Sequence, residues 1–304
     1  MTIFYLFLDG VGLGLNEPAI NPFAAQTLPT LQGILGGVGM FQMENSIETE
    51  RASLFPLDAS LGVDGFPQSA TGQAVLLTGI NIPQAIGYHY GPKPDAKTAS
   101  FLINGGLFGD LIASGKKVSF INAYPQQYFD TIESGKHLYS SFPLAATNSG
   151  ISLLTTQHLV DGSAMSADIT GMGWKEFFKI EELPIKTPFG AGAEMAQRWR
   201  EDDLVFFEYW LTDYAGHRQD MGEAKKILLE IDQMIDGIAQ KMGESDLILV
   251  TSDHGNIEDL ATRRHTMNKV PLLLIGNRKS RKSFHGAKSI MDVAPGIKKM
   301  LGVD

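Results

Sequence analysis

One stretch decides the fold of this chain: Leu247-Ile-Leu-Val-Thr-Ser-Asp-His-Gly-Asn256. Its unbroken aliphatic start is typical of a central strand that is buried on both faces of a parallel sheet. The strand leads into Asp253 and His254, and Gly255 supplies a turn that lets both side chains face one point. Ligands bind at the carboxyl ends of such strands, and a carboxylate beside an imidazole suits a divalent metal. The alternative is a loop Asp that caps a helix beside a surface His.

Composition narrows the class of protein. The 304 residues are 43% hydrophobic and 19% charged, as in ordinary globular proteins, and we expect a single domain over 1–304. The net charge of −9 argues against nucleic acid as a partner. Without cysteine, a metal must be held by Asp, Glu, His or hydroxyl oxygen. The apolar start, residues 3–8, is too short for a signal peptide or a membrane span, which predicts a cytoplasmic protein without membrane contact.

A second buried strand is predicted at Ile3–Leu8, and it too leads into an acid, Asp9, followed by a glycine-rich turn. The glycines lack the spacing of a dinucleotide-binding loop. We therefore interpret Asp9 as a metal ligand, with simple capping of the following turn as the alternative.

A hydroxyl group stands at the start of a predicted helix that closes at Gly79. Ser69 lies just ahead of the helical run and is predicted to be its N-cap. Capping alone would explain a serine there. A helix N-terminus also favours a bound anion, so a nucleophile at this position would face a phosphate.

A third strand, residues 204–210, is followed by Asp213 and, four residues later, His217. On a helical turn that spacing places both side chains on one side, where they can bind one ion. Further elements alternate along the chain, which predicts an α/β fold: a doubly wound, mostly parallel sheet with helices on both faces. They are predicted as a helix within 21–35, a helix at 105–115, strands at 117–121 and 270–275, and an amphipathic helix through Ile227 and Ile238. Residues 124–190 lack this pattern and are predicted to be a small elaboration without a large cap domain.

Several oxygen and imidazole donors are thus expected near one edge of the sheet. They are too many for one tetrahedral ion but suit two neighbouring divalent ions, with Ser69 completing the set. Two close ions are suited to phosphoryl transfer, because one activates the attacking oxygen and the other steadies the leaving oxygen. The donors are Asp9, Asp213, His217, Asp253, His254 and His265.

The order of these motifs resembles the alkaline phosphatase superfamily, particularly its cofactor-independent phosphoglycerate mutase and phosphopentomutase branch. The motifs are Asp9-Gly-Val-Gly12, Ser69-Ala-Thr-Gly72, Asp213-Tyr-Ala-Gly-His217, Asp253-His-Gly-Asn256 and His265-Thr-Met-Asn-Lys-Val-Pro271. The resemblance implies one metal on Asp9, Asp253, His254 and the Ser69 oxygen, and another on Asp213, His217 and His265. It implies Ser69 as the nucleophile, because Ser69 stands three residues before Gly72; Thr71 is the rival.

The resemblance also implies a reaction, in which a phosphate ester transfers its phosphoryl group to Ser69. The phosphoserine is then hydrolysed, or it returns phosphate to a hydroxyl of the substrate. The mutases carry a His where this chain has Gln73, and a large cap where it has only residues 124–190. We therefore expect a phosphatase or phosphodiesterase for a small phosphate ester, with a reduced-cap phosphomutase and an inactive metal-binding protein as alternatives. The ions are expected to be Zn or Mn, and Asn256 and Arg263 are expected to contact substrate.

Overall fold

The computed structural model describes residues 1–303. Its strands are Ile3–Leu8 (β1), Ile47–Glu48 (β2), Ala52–Leu57 (β3), Val118–Phe120 (β4), Ala123–Tyr124 (β5), Leu154–Thr155 (β6), Leu204–Tyr209 (β7), Leu247–Thr251 (β8) and Val270–Ile275 (β9). Its helices are Pro22–Ala25 (α1), Pro29–Ile34 (α2), Ser69–Thr78 (α3), Ile82–Ile86 (α4), Ala96–Ser100 (α5), Gly106–Ala113 (α6), Gln126–Glu133 (α7), Ser141–Asn148 (α8), Thr156–Val160 (α9), Met172–Phe178 (α10), Pro188–Arg198 (α11), Leu211–Arg218 (α12), Met221–Lys241 (α13), Arg278–Arg281 (α14) and Val293–Leu301 (α15). Short 3₁₀ turns occur at Lys282–Phe284 and Ile290–Asp292.

The central sheet confirms the predicted fold class. Seven strands lie in the order β2-β3-β9-β8-β1-β7-β4. Strands β4, β7, β1 and β8 are parallel neighbours, so β8 is central, as its unbroken aliphatic sequence predicts. Strand β9 runs antiparallel to both β8 and β3, which makes the sheet mixed on that side.

Both faces of the sheet are covered by helices, because its strands are apolar on both sides. From β1, Phe4 and Leu6 pack into one core cluster, which includes buried residues of α11 and α13. Ile3, Tyr5 and Phe7 pack into the other, with buried residues of α3, α6, α8 and α15. This alternation is the two-residue period of a strand with no solvent-facing side.

One local prediction was wrong, and one strand was not predicted. The single helix expected within 21–35 is split into α1 and α2, because Pro29 begins a new helix after the extended Gln26. Strand β3 was missed, because Pro56 argues against a central strand. In the sheet Pro56 lies opposite Pro271 and outside the two residues that β2 pairs, so no ladder requires its missing N–H.

The region predicted as an elaboration has two parts with different packing. Helix α8 buries Phe142 in the same core as α3, and Ser141 Oγ donates a hydrogen bond to the Ala70 carbonyl at 2.9 Å. A separate small cluster contains Ala123, Leu159, Ala164, Trp174 and Leu183. Part of the stretch therefore supports α3 directly, while the rest forms its own small core.

None of the helices within residues 1–303 combines the length and the apolar character that crossing a membrane requires.

Candidate metal centre

Two neighbouring strand ends place one set of acidic and imidazole groups. Asp9 follows β1, and Asp253 and His254 follow β8, which pairs with β1 in parallel. Gly10 has φ +65°, a conformation that favours glycine, and so turns the chain directly after Asp9. The His254 ring is fully buried, with Nε2 3.3 Å from Asp9 Oδ1 and 3.7 Å from Asp253 Oδ2.

Helix α12, after β7, places the second set. Asp213 and His217 are one turn apart, with His217 Nε2 3.2 Å from Asp213 Oδ2. His265 comes from the loop before β9, and its Nε2 lies 3.8 Å from Asp213 Oδ1. The His265 ring also stacks on that of His254, with centroids 3.7 Å apart, so the two sets adjoin.

Backbone carbonyls orient the imidazoles. His217 Nδ1 lies 2.6 Å from the Arg263 carbonyl and His265 Nδ1 lies 2.8 Å from the Pro67 carbonyl. A carbonyl only accepts hydrogen bonds, so each Nδ1 carries the proton and each Nε2 is left as a ligand atom. Such outer contacts fix both tautomer and ring orientation in metal sites.

The structure corrects the predicted role of Ser69 in helix α3. The N-cap is Gln68, and Ser69 is the first helical residue. Its Oγ does not cap the helix but lies 3.0 Å from His254 Nε2. The rival hydroxyl, Thr71 Oγ1, is buried and is directed at two backbone carbonyl oxygens instead of His254. It lies 3.2 Å from the Gln68 carbonyl and 3.3 Å from the Tyr90 carbonyl.

The carboxylates crowd one another. Burial raises the pKa of Asp9, and the nearby Asp213 adds to that rise. Burial and the charge of Asp9 raise the pKa of Asp253 well above its ordinary value. Burial would lower the pKa of His254, but Asp253 and Asp9 raise it to about 10. Burial and the neighbouring His254 lower the pKa of His265 to about 4. The site thus concentrates negative charge, which His254 partly offsets by holding its proton between Asp9 and Asp253.

The donor set fits divalent cations. Asp9 Oδ1, Asp213 Oδ1 and Asp253 Oδ2 are buried and accept no hydrogen bond, which is costly for a carboxylate unless a cation partners it. Ligand atoms of Asp213, His217 and His265 all lie within 4.8 Å of one another, and so do those of Asp9, Asp213 and His254. Asp213 belongs to both groups and therefore lies between them.

A cavity of about 520 Å³ opens onto these groups. Ser69, Asp213, His217 and His265 line it, and so does Arg263. Sequence reasoning missed four other lining residues, which carry no motif of their own: Phe66, Gln68, Pro92 and Arg264. Asn256 is placed differently from the prediction that it contacts substrate. It is fully buried, with Nδ2 3.2 Å from His217 Nδ1, and does not line the cavity.

Comparison with known proteins agrees with this geometry. Residues 191–304 match the family model described as the Metalloenzyme superfamily. Residues 191–304 therefore form a Metalloenzyme superfamily domain. The matched region of this domain contains Asp213, His217, Asp253, His254 and His265, whereas Asp9 and Ser69 precede it.

Two relatives of the domain are named as phosphomutases. The 2,3-bisphosphoglycerate-independent phosphoglycerate mutase of Desulforudis audaxviator (strain MP104C) is 32% identical over 108 residues, 33% of this chain and 21% of that protein. The phosphopentomutase of Alkaliphilus metalliredigens (strain QYMF) is 33% identical over 90 residues, 29% of this chain and 23% of that protein. The similarity thus spans less than a quarter of the length of either relative.

Solved structures of other proteins share the fold of this chain. Alkaline phosphatase from the Antarctic bacterium TAB5 superposes with a TM-score of 0.56 over 100% of this chain and 98% of that chain, at 14% identity. The chain therefore has an alkaline phosphatase-like fold, which confirms the fold that the motifs led us to expect.

Proposed function

We propose that this chain is a metal-dependent phosphoryl-transfer enzyme that hydrolyses a small phosphomonoester or phosphodiester through a phosphoserine on Ser69. One observation carries the proposal: Ser69 Oγ lies on the cavity wall, 3.0 Å from His254 Nε2 and beside both donor groups. The names of the relatives, phosphomutases and a phosphatase, favour the same chemistry. The cytoplasmic location stays a prediction.

We assign one divalent cation to Asp9, Asp253, His254 and the Ser69 oxygen, and a second to Asp213, His217 and His265, with Zn and Mn both suited to these ligands. When bound, the cations supply Lewis acidity, which lowers the pKa of the serine hydroxyl and offsets the charge of the phosphoryl group. The unpartnered carboxylate oxygens support this assignment. Asn256 Nδ2 lies 3.2 Å from His217 Nδ1 and 3.3 Å from His217 Nε2, and we assign Asn256 a packing contact with that ring instead of a substrate contact.

The residues of the chain then carry the reaction. Ser69 Oγ gives its proton to solvent and attacks phosphorus in line; the Oγ–P bond forms, the ester P–O bond breaks, and the leaving oxygen takes a proton from solvent. The N-terminus of α3 favours the anionic phosphoryl group, because its amide dipoles point at that end. Arg263 and Arg264 line the cavity, where guanidinium groups suit phosphate oxygens. Water then cleaves the phosphoserine and releases phosphate.

The position of the elaboration favours hydrolysis over mutase chemistry. A mutase must keep water from its phosphoenzyme while phosphate passes between hydroxyls. None of the lining residues of this cavity comes from the stretch 124–190, and the His217 side chain on its wall is 43% exposed. Water therefore has access to the cavity that Ser69 lines. A phosphomutase is the alternative that the named relatives favour.

The test is release of inorganic phosphate from a panel of phosphomonoesters and phosphodiesters, with added Mn²⁺ or Zn²⁺. We expect release by the wild type and none by Ser69→Ala. Thr78→Ala is the matched control, because it removes a hydroxyl from the other end of the same helix, where Oγ1 contacts only the Ala74 carbonyl and the Ile80 amide. Interconversion of sugar or glycerate phosphates without release would establish the mutase. Binding of metal without either reaction would establish the inactive protein.

A further inference from the structure

Glu258 is a buried carboxyl group that the proposed reaction does not use. It is 1% exposed, and it forms no salt bridge within the described residues 1–303. Its Oε2 accepts hydrogen bonds from the Gly12 amide at 2.9 Å and the Asn256 amide at 2.7 Å. Its Oε1 accepts from Thr266 Oγ1 and, at 3.0 Å, from Asn268 Nδ2. Four donors thus converge on one side chain.

The donors come from three loops, and each loop carries proposed metal ligands. Gly12 lies three residues after Asp9, Asn256 lies two residues after His254, and Thr266 directly follows His265. Asp9 and His254 belong to one donor group and His265 to the other. Glu258 is therefore bonded to the loops of both groups at once, without touching the cavity.

Glycines leave the room that this carboxylate occupies. A Cβ on Gly12 would lie 2.2 Å from Glu258 Oε1 and 2.5 Å from its Cδ. A Cβ on Gly255 would lie 2.2 Å from Oε1 and also 2.2 Å from Thr266 Oγ1, and one on Gly14 would lie 2.8 Å from Glu258 Cγ. These distances are far below van der Waals contact, so no other residue fits at these positions while Glu258 keeps its place. Three glycines, Gly12, Gly14 and Gly255, thus make room for the Glu258 side chain.

We infer that Glu258 is a positioning residue that fixes the two ligand groups relative to each other, so that cation affinity depends on it. The inference rests on the metal centre of the proposed function but not on the reaction. A carboxylate suits the task because it only accepts, and all four neighbours donate. Without it, three buried donors and the half-buried Asn268 amide lose their partner, and the three loops lose their common contact. Outer-shell changes of this kind typically weaken metal binding about 10- to 100-fold.

Calorimetric titration of metal-free protein with Mn²⁺ tests the inference. We expect Glu258→Ala to weaken Mn²⁺ binding by about 10- to 100-fold. Asp246→Asn is the matched control. Asp246 is also a buried carboxyl group that accepts two backbone hydrogen bonds, from Thr2 and Gly243 at 2.7 Å each, but it precedes β8 and lies at the opposite end of that strand from His254. The control is expected to lower the melting temperature and leave Mn²⁺ affinity unchanged, which separates positioning from general destabilisation.

A milder variant decides the question if Glu258→Ala fails to fold. Thr266→Val removes one of the two hydrogen bonds that tie the His265 loop to Glu258 and keeps the one from Asn268. We expect it to weaken one of two Mn²⁺ binding steps, that of Asp213, His217 and His265, and to spare the other. Wild-type affinity for both steps in the folded variants would overturn the inference. Wild-type protein that binds Mn²⁺ without hydrolysing esters would refute the proposed reaction, and the Mn²⁺ affinities of the variants would still test the role of Glu258. A wild type that binds no Mn²⁺ would overturn both the proposed function and the role of Glu258.

Discussion

Gly72, in the first turns of helix α3, packs closely against Asp253, and an added methyl group there should separate stability from catalysis. In Gly72→Ala the new Cβ would lie 2.8 Å from Asp253 Cβ and 3.0 Å from the Asp253 carbonyl oxygen. Carbon atoms pack at about 3.5–4.0 Å, so helix and loop must separate by about 1 Å. The neighbours are a Cβ and backbone, which cannot swing aside as the end of a long side chain can.

The cost in stability is small because two effects oppose each other. Overpacking costs about 1–3 kcal/mol, whereas replacing glycine by alanine inside a helix gains about 1 kcal/mol. Catalysis has no such compensation, because Ser69 moves with the helix while His254 stays with the loop. A displacement of about 1 Å at a reacting group costs roughly 100-fold in rate. We expect Gly72→Ala to lower kcat for phosphate release by about that factor, with a net change of at most about 2 kcal/mol in the free energy of unfolding.

Gly192→Ala provides the contrasting control in this assay. Its Cβ would lie 2.0 Å from the Met234 carbonyl oxygen, where α11 packs on α13, away from the ligand groups. It should destabilise the protein more than Gly72→Ala does and leave kcat of the folded protein unchanged. If Gly72→Ala retains wild-type kcat, the close packing of α3 on the Asp253 loop does not position Ser69, and the reasoning is refuted.

Three further predictions concern charge. Burial, reinforced by the charge of Asp9, raises the pKa of Glu208 to about 8. Because the folded state then holds this proton more tightly than the unfolded state does, the metal-free protein should lose stability as the pH rises from about 4.5 to 8. Urea unfolding of Glu208→Gln should show a smaller loss of stability over the same pH range. Saturating Mn²⁺ should raise the free energy of unfolding by about 2.7 kcal/mol for each cation site at 100 times its Kd, and a thermal melt unaffected by Mn²⁺ or by a chelator would contradict this. Arg264→Ala should raise KM for the best ester about 10-fold at nearly constant kcat, because its guanidinium lines the cavity and binds the phosphate in ground and transition states alike.

The strand ends of the fold were predictable because the signal is local. Residues 270–275 form a strand as predicted, and the apolar runs at β1 and β8 place Asp9 and Asp253 at one sheet edge. Strand β3 was not predictable, because Pro56 is tolerated only through its pairing partner, which is distant in sequence. Ser69 was predicted as a cap because capping depends on a few neighbouring residues, whereas its contact with His254 spans 185 positions.

The candidate site was predictable in the residue types that it brings together and not in the contacts that support them. A strand-end acid or a His four residues after an Asp is visible in sequence. The bonds that hold these groups join loops far apart in the chain: Glu258 to Gly12, and His265 to the Pro67 carbonyl. The cavity wall carries no motif either, since Arg264 becomes a lining residue only when its loop folds beside Ser69. Long-range contacts are therefore what sequence reasoning missed.

The central claim is that Ser69 carries the phosphoryl group, and trapping that group tests it most directly. Mn²⁺-loaded protein should be mixed with the best ester of the panel, quenched in acid, digested and analysed by fragmentation mass spectrometry. The account predicts one phosphoryl group on Ser69, which appears with substrate and is absent in Ser69→Ala. Steady release of phosphate with an unmodified Ser69, or with the phosphoryl group on Thr71, would contradict it.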